Sequence, residues 1–397
     1  MTQDVVVAGG GVSGLSIALH PRLLGVPRVT VLERHFAGAG HSGRAAGIVR
    51  ALVKSTAVAS MLMESLRFFC TFEERFGESI PYNAPGYLLV NGAGSAETMD
   101  TAIGNAGAAG CKAMRVSEAE ALELQPGLRR GGGDRYTFEP GAIHLDPMLT
   151  TQVLARVAKR LGVRIEEGCE VAAILLYHSL VQGVRTRAGD FLAEKVVVAT
   201  SVWGAAQLKQ LGMEVSVFPH RAEMAFFSVP PKLEFRLRRI VSDACTMLYM
   251  RPEGADQMFA GWREGDRIST PDDFASADPE NYRQTSNYST LADMRKRLTA
   301  TLPFMSDGFA HRTDACVYDY TPDGMPILDQ ADQIGGLYFA LGYSGGGFSL
   351  SSWVGASMAR FITEAVKSPE THLLRLARFQ EGDLLSWSNA AAGDRDA

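Results

Sequence analysis

Two hydrophobic patterns alternate along this chain. Residues 5–8, Val-Val-Val-Ala, carry no polar position, as expected of a parallel strand buried on both faces, and Gly9-Gly10-Gly11-Val12-Ser13-Gly14 follows directly. A helix is expected over 15–24, with Pro21 placed to kink or shorten it, then a strand over 29–32 ending at Glu33. Met61, Leu62, Leu66, Phe69, Phe72 and Phe76 recur at helical spacing and predict a core stripe with no chemistry of its own. Further on, 87–90 reads as a strand, 117–124 as a short helix and 131–134 as a glycine turn.

The middle of the chain changes rhythm. Asp146-Pro147 reads as an N-cap with proline at the first helical position, opening an apolar-periodic helix over 148–161. Short strand-like pieces follow at 163–166, 171–177, 180–186 and 191–193, separated by turns, and predict a β-meander. Residues 196–200, Val-Val-Val-Ala-Thr, predict another buried strand, followed by Ser201-Val202-Trp203-Gly204, at the strand end where open α/β sheets bind ligands. From about 215 to 315 the pattern is β-rich, with strands near 222–229 and 247–249 and a polar loop over 266–287. A last strand at 337–341 leads into Gly342-Tyr343-Ser344-Gly345-Gly346-Gly347-Phe348 and an apolar helix over 353–362.

Length and composition narrow the function. The 397 residues suffice for two or three domains, and 46% hydrophobic with 21% charged residues is a globular balance. The net charge of −5, with no long Lys/Arg run, argues against nucleic acid as a partner. Five cysteines without metal-type spacing argue against a disulfide framework or a zinc site. With no basic-then-apolar leader and no apolar run near the roughly 18 residues of a membrane helix, the expectation is a cytoplasmic protein without a membrane partner.

The first sixty residues carry the clearest chemistry. Gly9, Gly11 and Gly14 form G-x-G-x-x-G between strand and helix, and Glu33 lies 19 residues after Gly14. Gly9 serves the tight turn, Gly11 the approach of a pyrophosphate, Gly14 helix packing, and Glu33 a ribose hydroxyl, so a dinucleotide is expected here. The fingerprint leaves NAD(P) and FAD open. A second small-residue loop, 38–50, directly after the acid resembles the flavoprotein pattern and selects FAD. The glycine loop 342–348 at a helix start can offer backbone N–H groups to an electron-rich partner.

In this order, these segments resemble the FAD-dependent amine oxidoreductases of the D-amino-acid oxidase superfamily, nearest the monomeric sarcosine oxidase and pipecolate oxidase branch. The anchors are the Gly9 to Gly14 loop with Glu33, Asp146-Pro147, Ala199-Thr200 with Trp203, Thr321-Pro322-Asp323-Gly324, and 342–348. The resemblance implies a mixed α/β (α+β) fold, with a Rossmann-like FAD-binding domain plus a mainly antiparallel substrate domain. Because cofactor signals stand at both ends and in the middle, the FAD domain is expected from 1–80, 140–213 and 316–385, the substrate domain from 81–139 and 214–315, and a flexible tail from 386–397.

The resemblance also implies residue roles. Cys316, Tyr318, Thr321 and Asp323 reproduce the pattern C-x-Y-x-x-T-x-D of the branch that binds flavin through an 8α-thioether, so a covalent link at Cys316 is expected. Arg50 matches the arginine that pairs with a substrate carboxylate, Tyr249 the tyrosine over the flavin, and Arg263 and Tyr318 are further substrate-orienting candidates. The cofactor-contacting set is Gly9, Gly11, Val12, Ser13, Gly14, Glu33, Arg34, Ser42, Arg44, Ala45, Val171, Thr200, Cys316, Gly342, Gly345, Gly346, Gly347, Phe348 and Ser349. Three positions depart from the branch: Ser349 stands where a second carboxylate partner is a lysine, Gly346 replaces a common histidine, and the stretch 258–263 lacks the lysine that assists oxygen reduction. The implied activity is oxidation of a C–N bond in a secondary or cyclic amine, an amino acid above all, by hydride transfer to the flavin. Oxygen or an electron carrier would accept the electrons, and the rival readings are a dehydrogenase, a biosynthetic tailoring enzyme, or a flavin-bearing subunit of a larger complex.

Overall fold

The computed structural model describes residues 2–129, 131–229, 235–263 and 278–385. The expected tail at 386–397 and most of the expected polar loop 266–287 lie outside them.

The apolar run at the N-terminus becomes the strand Gln3–Ala8, the centre of a parallel sheet flanked by Val29–Leu32 and Gly189–Val198, with Arg164–Glu166 and Leu337–Leu341 beyond. Val5, Val6, Val7 and Ala8 are at most 1% exposed, as a strand covered on both faces must be. Helix Val12–Leu23 starts inside the glycine loop, three residues earlier than the apolar pattern suggests, because Leu15 N–H already reaches Gly11 C=O at 2.9 Å. Pro21 sits in its last turn, so the missing hydrogen bond falls where the helix is ending. This helix packs on Gly347–Glu364 so closely that a Cβ on Gly355 would lie 2.1 Å from Ser16 Oγ.

Two expectations of the meander are corrected. Residues 191–193 and 196–198 belong to one strand, Gly189–Val198, whose first half pairs antiparallel with Leu180–Thr186 and whose second half joins the parallel sheet. The piece expected at 163–166 is not part of the meander: Arg164–Glu166 pairs in parallel with Val29–Leu32 at the opposite edge. Local alternation cannot name a strand's partner, and here the preceding helix Pro147–Arg160, capped by Asp146 Oδ1 on Leu149 N–H at 2.7 Å, delivers the chain to that edge.

The second sheet has eight strands in the order Phe309–Tyr320, Phe218–Ser228, Gln257–Trp262, Leu248–Glu253, Ile240–Asp243, Tyr87–Asn91, Arg135–Glu139, Met114–Val116. Only the Ile240–Asp243 and Tyr87–Asn91 neighbours are parallel. The boundary expected at 316 falls inside the strand Phe309–Tyr320, which pairs with Phe218–Ser228 out to Tyr320. Cys316 therefore stands on the antiparallel sheet, and the chain crosses to the parallel sheet after Tyr320.

Candidate active site

At the carboxyl ends of the parallel strands, the glycine loop folds as its sequence requires. Gly9 has φ +107°, and a Cβ there would lie 2.4 Å from Ala199 O; a Cβ on Gly14 would lie 2.0 Å from Gly9 O. Glu33 accepts from the N–H groups of Gly10 at 2.7 Å and His35 at 2.9 Å, which fixes the acid beside the loop. Ser42, from the second small-residue loop, accepts the Val12 N–H at 3.0 Å, so the two loops close over the helix start. Arg44 holds its own loop, donating to Ala39 O at 2.9 Å and Gly40 O at 3.2 Å.

These loops surround a cavity of about 780 Å³, inside the range of roughly 300–1,000 Å³ typical of cofactor and small-molecule sites. Of the cofactor residues expected from the sequence, Gly9, Gly11, Val12, Ser13, Gly14, Glu33, Arg34, Ser42, Arg44, Ala45, Val171, Thr200, Gly345, Gly347 and Phe348 line it. Gly342, Gly346, Ser349 and Cys316 are not among its lining residues. Gly342 makes the turn at φ +72°, Gly346 donates its N–H to Tyr343 O, and the Ser349 hydroxyl is spent on Gly346 O at 3.0 Å.

The wall also contains His41 and Glu280, for which the sequence gave no role, beside the expected Arg34 and Trp203. His41 stacks on Trp203 with centroids 5.5 Å apart, and the Arg34 guanidinium lies 4.6 Å from the centre of the same indole. Glu280, from the segment before helix Tyr288–Thr301, binds Arg34 at 2.7 Å and accepts from Trp203 Nε1, so a strap from the antiparallel side reaches across the cavity. Burial, reinforced by Arg44, lowers His41 to about 4 and keeps it neutral. The signal for Trp203 was present in its position after a buried strand; Glu280 gave none, because its partners lie 246 and 77 residues away.

Strand register brings the substrate candidates together. Tyr249 faces Ser242 on one neighbour and Gly261 on the other; Met224 faces Gly261, Ala222 faces Cys316, and His220 faces Tyr318. Paired residues project to the same side and side chains alternate along each strand, so Tyr249, Arg263, Cys316 and Tyr318 share one face of the sheet. Tyr318 reaches the cavity wall, and Ala46 of the second small-residue loop packs on this face beside Cys316 and Tyr249. Arg50 sits over the Tyr87 ring at 4.7 Å, with Nη1 donating to Leu52 O at 2.5 Å. Tyr87 belongs to the same face through its pairing with Ile240, two residues before Ser242.

The chemistry of this face is apolar and weakly ionising. Cys316 is 0% exposed, packed against Ala222, Met224 and Phe259, and burial pushes its thiol up to about 12. Burial likewise raises the Tyr318 phenol, with the neighbouring Cys316 thiol adding to the effect. Arg251 was missed by the sequence reading: it donates through Nε to Ala46 O at 2.6 Å and ties the sheet to the second small-residue loop. Among the described residues no cluster of His, Cys, Asp or Glu could hold a metal ion, and no helix is long and apolar enough to cross a membrane.

A parallel-sheet dinucleotide cradle facing an antiparallel sheet with a tyrosine- and arginine-bearing surface defines a nucleotide-cofactor oxidoreductase. The comparisons with known proteins specify it further: the FAD dependent oxidoreductase family matches residues 4–361, and the chain belongs to that family. It is 24% identical over 385 residues to the 4-methylaminobutanoate oxidase (formaldehyde-forming) of Paenarthrobacter nicotinovorans, covering 94% of this chain and 45% of that protein. It is 24% identical over 403 residues to sarcosine oxidase subunit beta of an Arthrobacter species, covering 98% of this chain and 94% of the relative. The chain thus spans less than half the length of the first relative and nearly all of the second. Among solved structures, L-proline dehydrogenase from P. horikoshii shares the fold with a TM-score of 0.86 at 23% identity, covering 96% of this chain and 99% of that one.

FAD is the family's cofactor, and the cradle fits it. The glycine positions leave no room for a Cβ where a pyrophosphate must approach the helix start, and Glu33 stands at the strand end where a ribose is bound.

Proposed function

We propose that this chain oxidises a C–N bond of a secondary or cyclic amino acid. The observation that carries this reading is the shared sheet face: Tyr249, Arg263, Cys316 and Tyr318 project from it, and Arg50 lies over its Tyr87. FAD supplies the hydride acceptor when bound. The chain's own residues then have three tasks. Gly9 to Gly14, Glu33 and Ser42 hold the dinucleotide end. Tyr249 and Tyr318 present an apolar wall with phenolic tips that shields the reacting carbon from water and orients a neutral amine. Arg50 supplies a guanidinium for a carboxylate, a task for which its planar fork is suited.

The test is anaerobic reduction of the purified yellow protein by an amine panel. Secondary and cyclic amino acids should bleach the flavin, and matched amines lacking the carboxylate should bleach it at least tenfold more slowly, since truncating one member of a hydrogen-bonded charge pair between ligand and protein costs about 2–5 kcal/mol. Equal rates with and without the carboxylate would remove Arg50 from substrate binding; no bleaching by any amine would sink the C–N reading. Readmitting air then separates an oxidase from a dehydrogenase.

Cys316 is proposed as the point of covalent attachment, on the support of its surrounding sequence and its place beside Tyr318 on the sheet face that packs on Ala46. Acid-denatured wild-type protein should keep its flavin fluorescence through gel filtration, and Cys316→Ser should lose it. Complete release of flavin from the wild type would leave only noncovalent binding.

A second reading, a flavin-bearing subunit of a larger assembly, is supported by the likeness to sarcosine oxidase subunit beta over nearly the whole of both chains. Turnover by the isolated chain would speak against it.

A further inference from the structure

Asp319 occupies a position that the proposed reaction leaves unused. It is the next-to-last residue of the strand Phe309–Tyr320, is 4% exposed, and lines the cofactor cavity. Gly342 N–H donates to its Oδ2 at 2.8 Å, and the Tyr343 N–H and the Ser201 hydroxyl lie near enough to favour its charged form. These three groups come from two turns, each at the carboxyl end of a parallel strand. Both turns hold a serine in the left-handed region, Ser201 at φ 54° and ψ −132° and Ser344 at φ 50°. Such backbone persists only where its surroundings over-determine it. The Ser344 N–H to Asp319 O bond, at 2.9 Å, is part of that determination.

The result is a carboxylate built into the cavity wall and surrounded by dipoles. The other titratable groups facing it are Tyr343, from the turn after Leu337–Leu341, and His41, whose Nδ1 meets Ser201 Oγ at 3.4 Å. Opposite it on Phe218–Ser228 stands Pro219, and Tyr318 and Tyr320 flank it on its own strand with alternate projection. His41 is held neutral by burial and by Arg44, and burial raises the Tyr343 phenol, so neither carries charge near neutral pH. Burial lifts Asp319 to about 6, against the pull of its N–H donors.

We propose that Asp319 takes up a proton when the cofactor in this cavity is reduced, and so steepens the dependence of the flavin potential on pH. The inference rests on FAD occupying the cavity. A hydride leaving the neutral amine would carry two electrons and one proton to the flavin and leave an iminium cation; once that cation departs, or passes its N–H proton to water and departs as the imine, the cavity keeps the one negative charge of the reduced flavin. Two negative charges in one desolvated site disfavour each other, so the carboxylate's affinity for a proton rises. That proton comes from water, forms the Asp319 carboxylic acid, and returns to water on reoxidation.

Two measurements on the holoprotein test this. In redox-difference infrared spectra buffered above about pH 6, reduction of the wild type should produce a carboxylic-acid carbonyl band that shifts in D2O and is missing from Asp319→Asn. In anaerobic potentiometric titrations over the same range, the potential of Asp319→Asn should fall less steeply with pH than that of the wild type, by about 30 mV per pH unit. That is the value of one proton, or a tenfold change in equilibrium constant, in a two-electron couple. A wild-type spectrum without the band, or superimposable potential lines, would overturn the assignment. The wild-type spectrum decides even where Asp319→Asn fails to retain flavin. A chain that binds flavin and is bleached by amines but lacks the band refutes the role of Asp319 alone, whereas a chain that binds no flavin refutes both readings.

Discussion

Arg378→Ala should cost the fold about 3–5 kcal/mol, a large share of the roughly 5–15 kcal/mol by which a domain is stable. Arg378 and Asp323 have side chains 0% exposed and meet through two bonds, Nε to Oδ2 at 2.7 Å and Nη2 to Oδ1 at 3.0 Å. The guanidinium also donates to Met325 O at 2.8 Å and Arg375 O at 3.1 Å, and the carboxylate accepts from Met325 N–H and Leu385 N–H. The pair clamps the segment around helix Arg378–Glu381 onto the turn that carries Thr321-Pro322-Asp323-Gly324. Removing the cation leaves a buried, uncompensated carboxylate, which is why breaking such a pair costs more than the pair itself contributes. Urea unfolding of the wild type, Arg378→Ala, and the double variant Asp323→Leu/Arg378→Met checks this. The double variant should recover most of the loss, since it leaves no orphaned charge. A loss below about 1 kcal/mol in Arg378→Ala, the range of an exposed pair, would show that the clamp does not hold in solution.

Gly14→Ala should abolish stoichiometric flavin binding. The added Cβ would lie 2.0 Å from Gly9 O, a backbone atom, and cannot be absorbed by a side-chain movement. Gly9 cannot retreat: it sits at φ +107° with Ala199 O pressed against its own Cβ position. The glycine loop must therefore open away from the helix start, and the close approach on which pyrophosphate binding depends is lost. An expected loss of at least a hundredfold in affinity corresponds to about 2.8 kcal/mol. Gly104→Ala, on the exposed face of helix Ala96–Ala108 and away from the cavity lining, is the matched control, with helical φ and nothing within 4 Å of the new methyl. Flavin content per protein, read from the absorbance of the purified variants, gives the answer. A yellow Gly14→Ala protein with normal flavin content would mean that the loop does not hold the cofactor.

The legible part of the molecule was local. G-x-G-x-x-G, the acid at position 33 and the N-cap at Asp146 each depend on residues near one another in sequence, and all lie where their spacing puts them. Gly9, Gly11, Gly14 and Glu33 line one cavity for the same reason, strand, turn and helix start being specified by glycine geometry and apolar run length, while the other eleven expected cofactor residues that line it were implied by the family resemblance. The Cys316 pattern was also visible, but two of its members, Thr321 and Asp323, hold the turn and the Arg378 clamp rather than line the cavity.

By itself, then, the sequence determined the dinucleotide cradle and the existence of the buried strands that frame it. Only the tertiary structure decided which edge Arg164–Glu166 joins, that Gly189–Val198 is one strand serving two neighbours, and that Arg378 answers Asp323 from 55 residues away. It also decided that Tyr249, Arg263, Cys316 and Tyr318 share a face, since a one-residue change of register in any intervening strand would turn some of them to the other side. Asp319 shows the same division: it falls at an unassigned position of the Cys316 pattern, and the groups that surround its carboxylate at 201, 342 and 343 arrive from the other sheet. Short-range preferences select turns and caps because few atoms take part, whereas pairing, register and buried charge neutralisation depend on segments that meet only when the chain has folded.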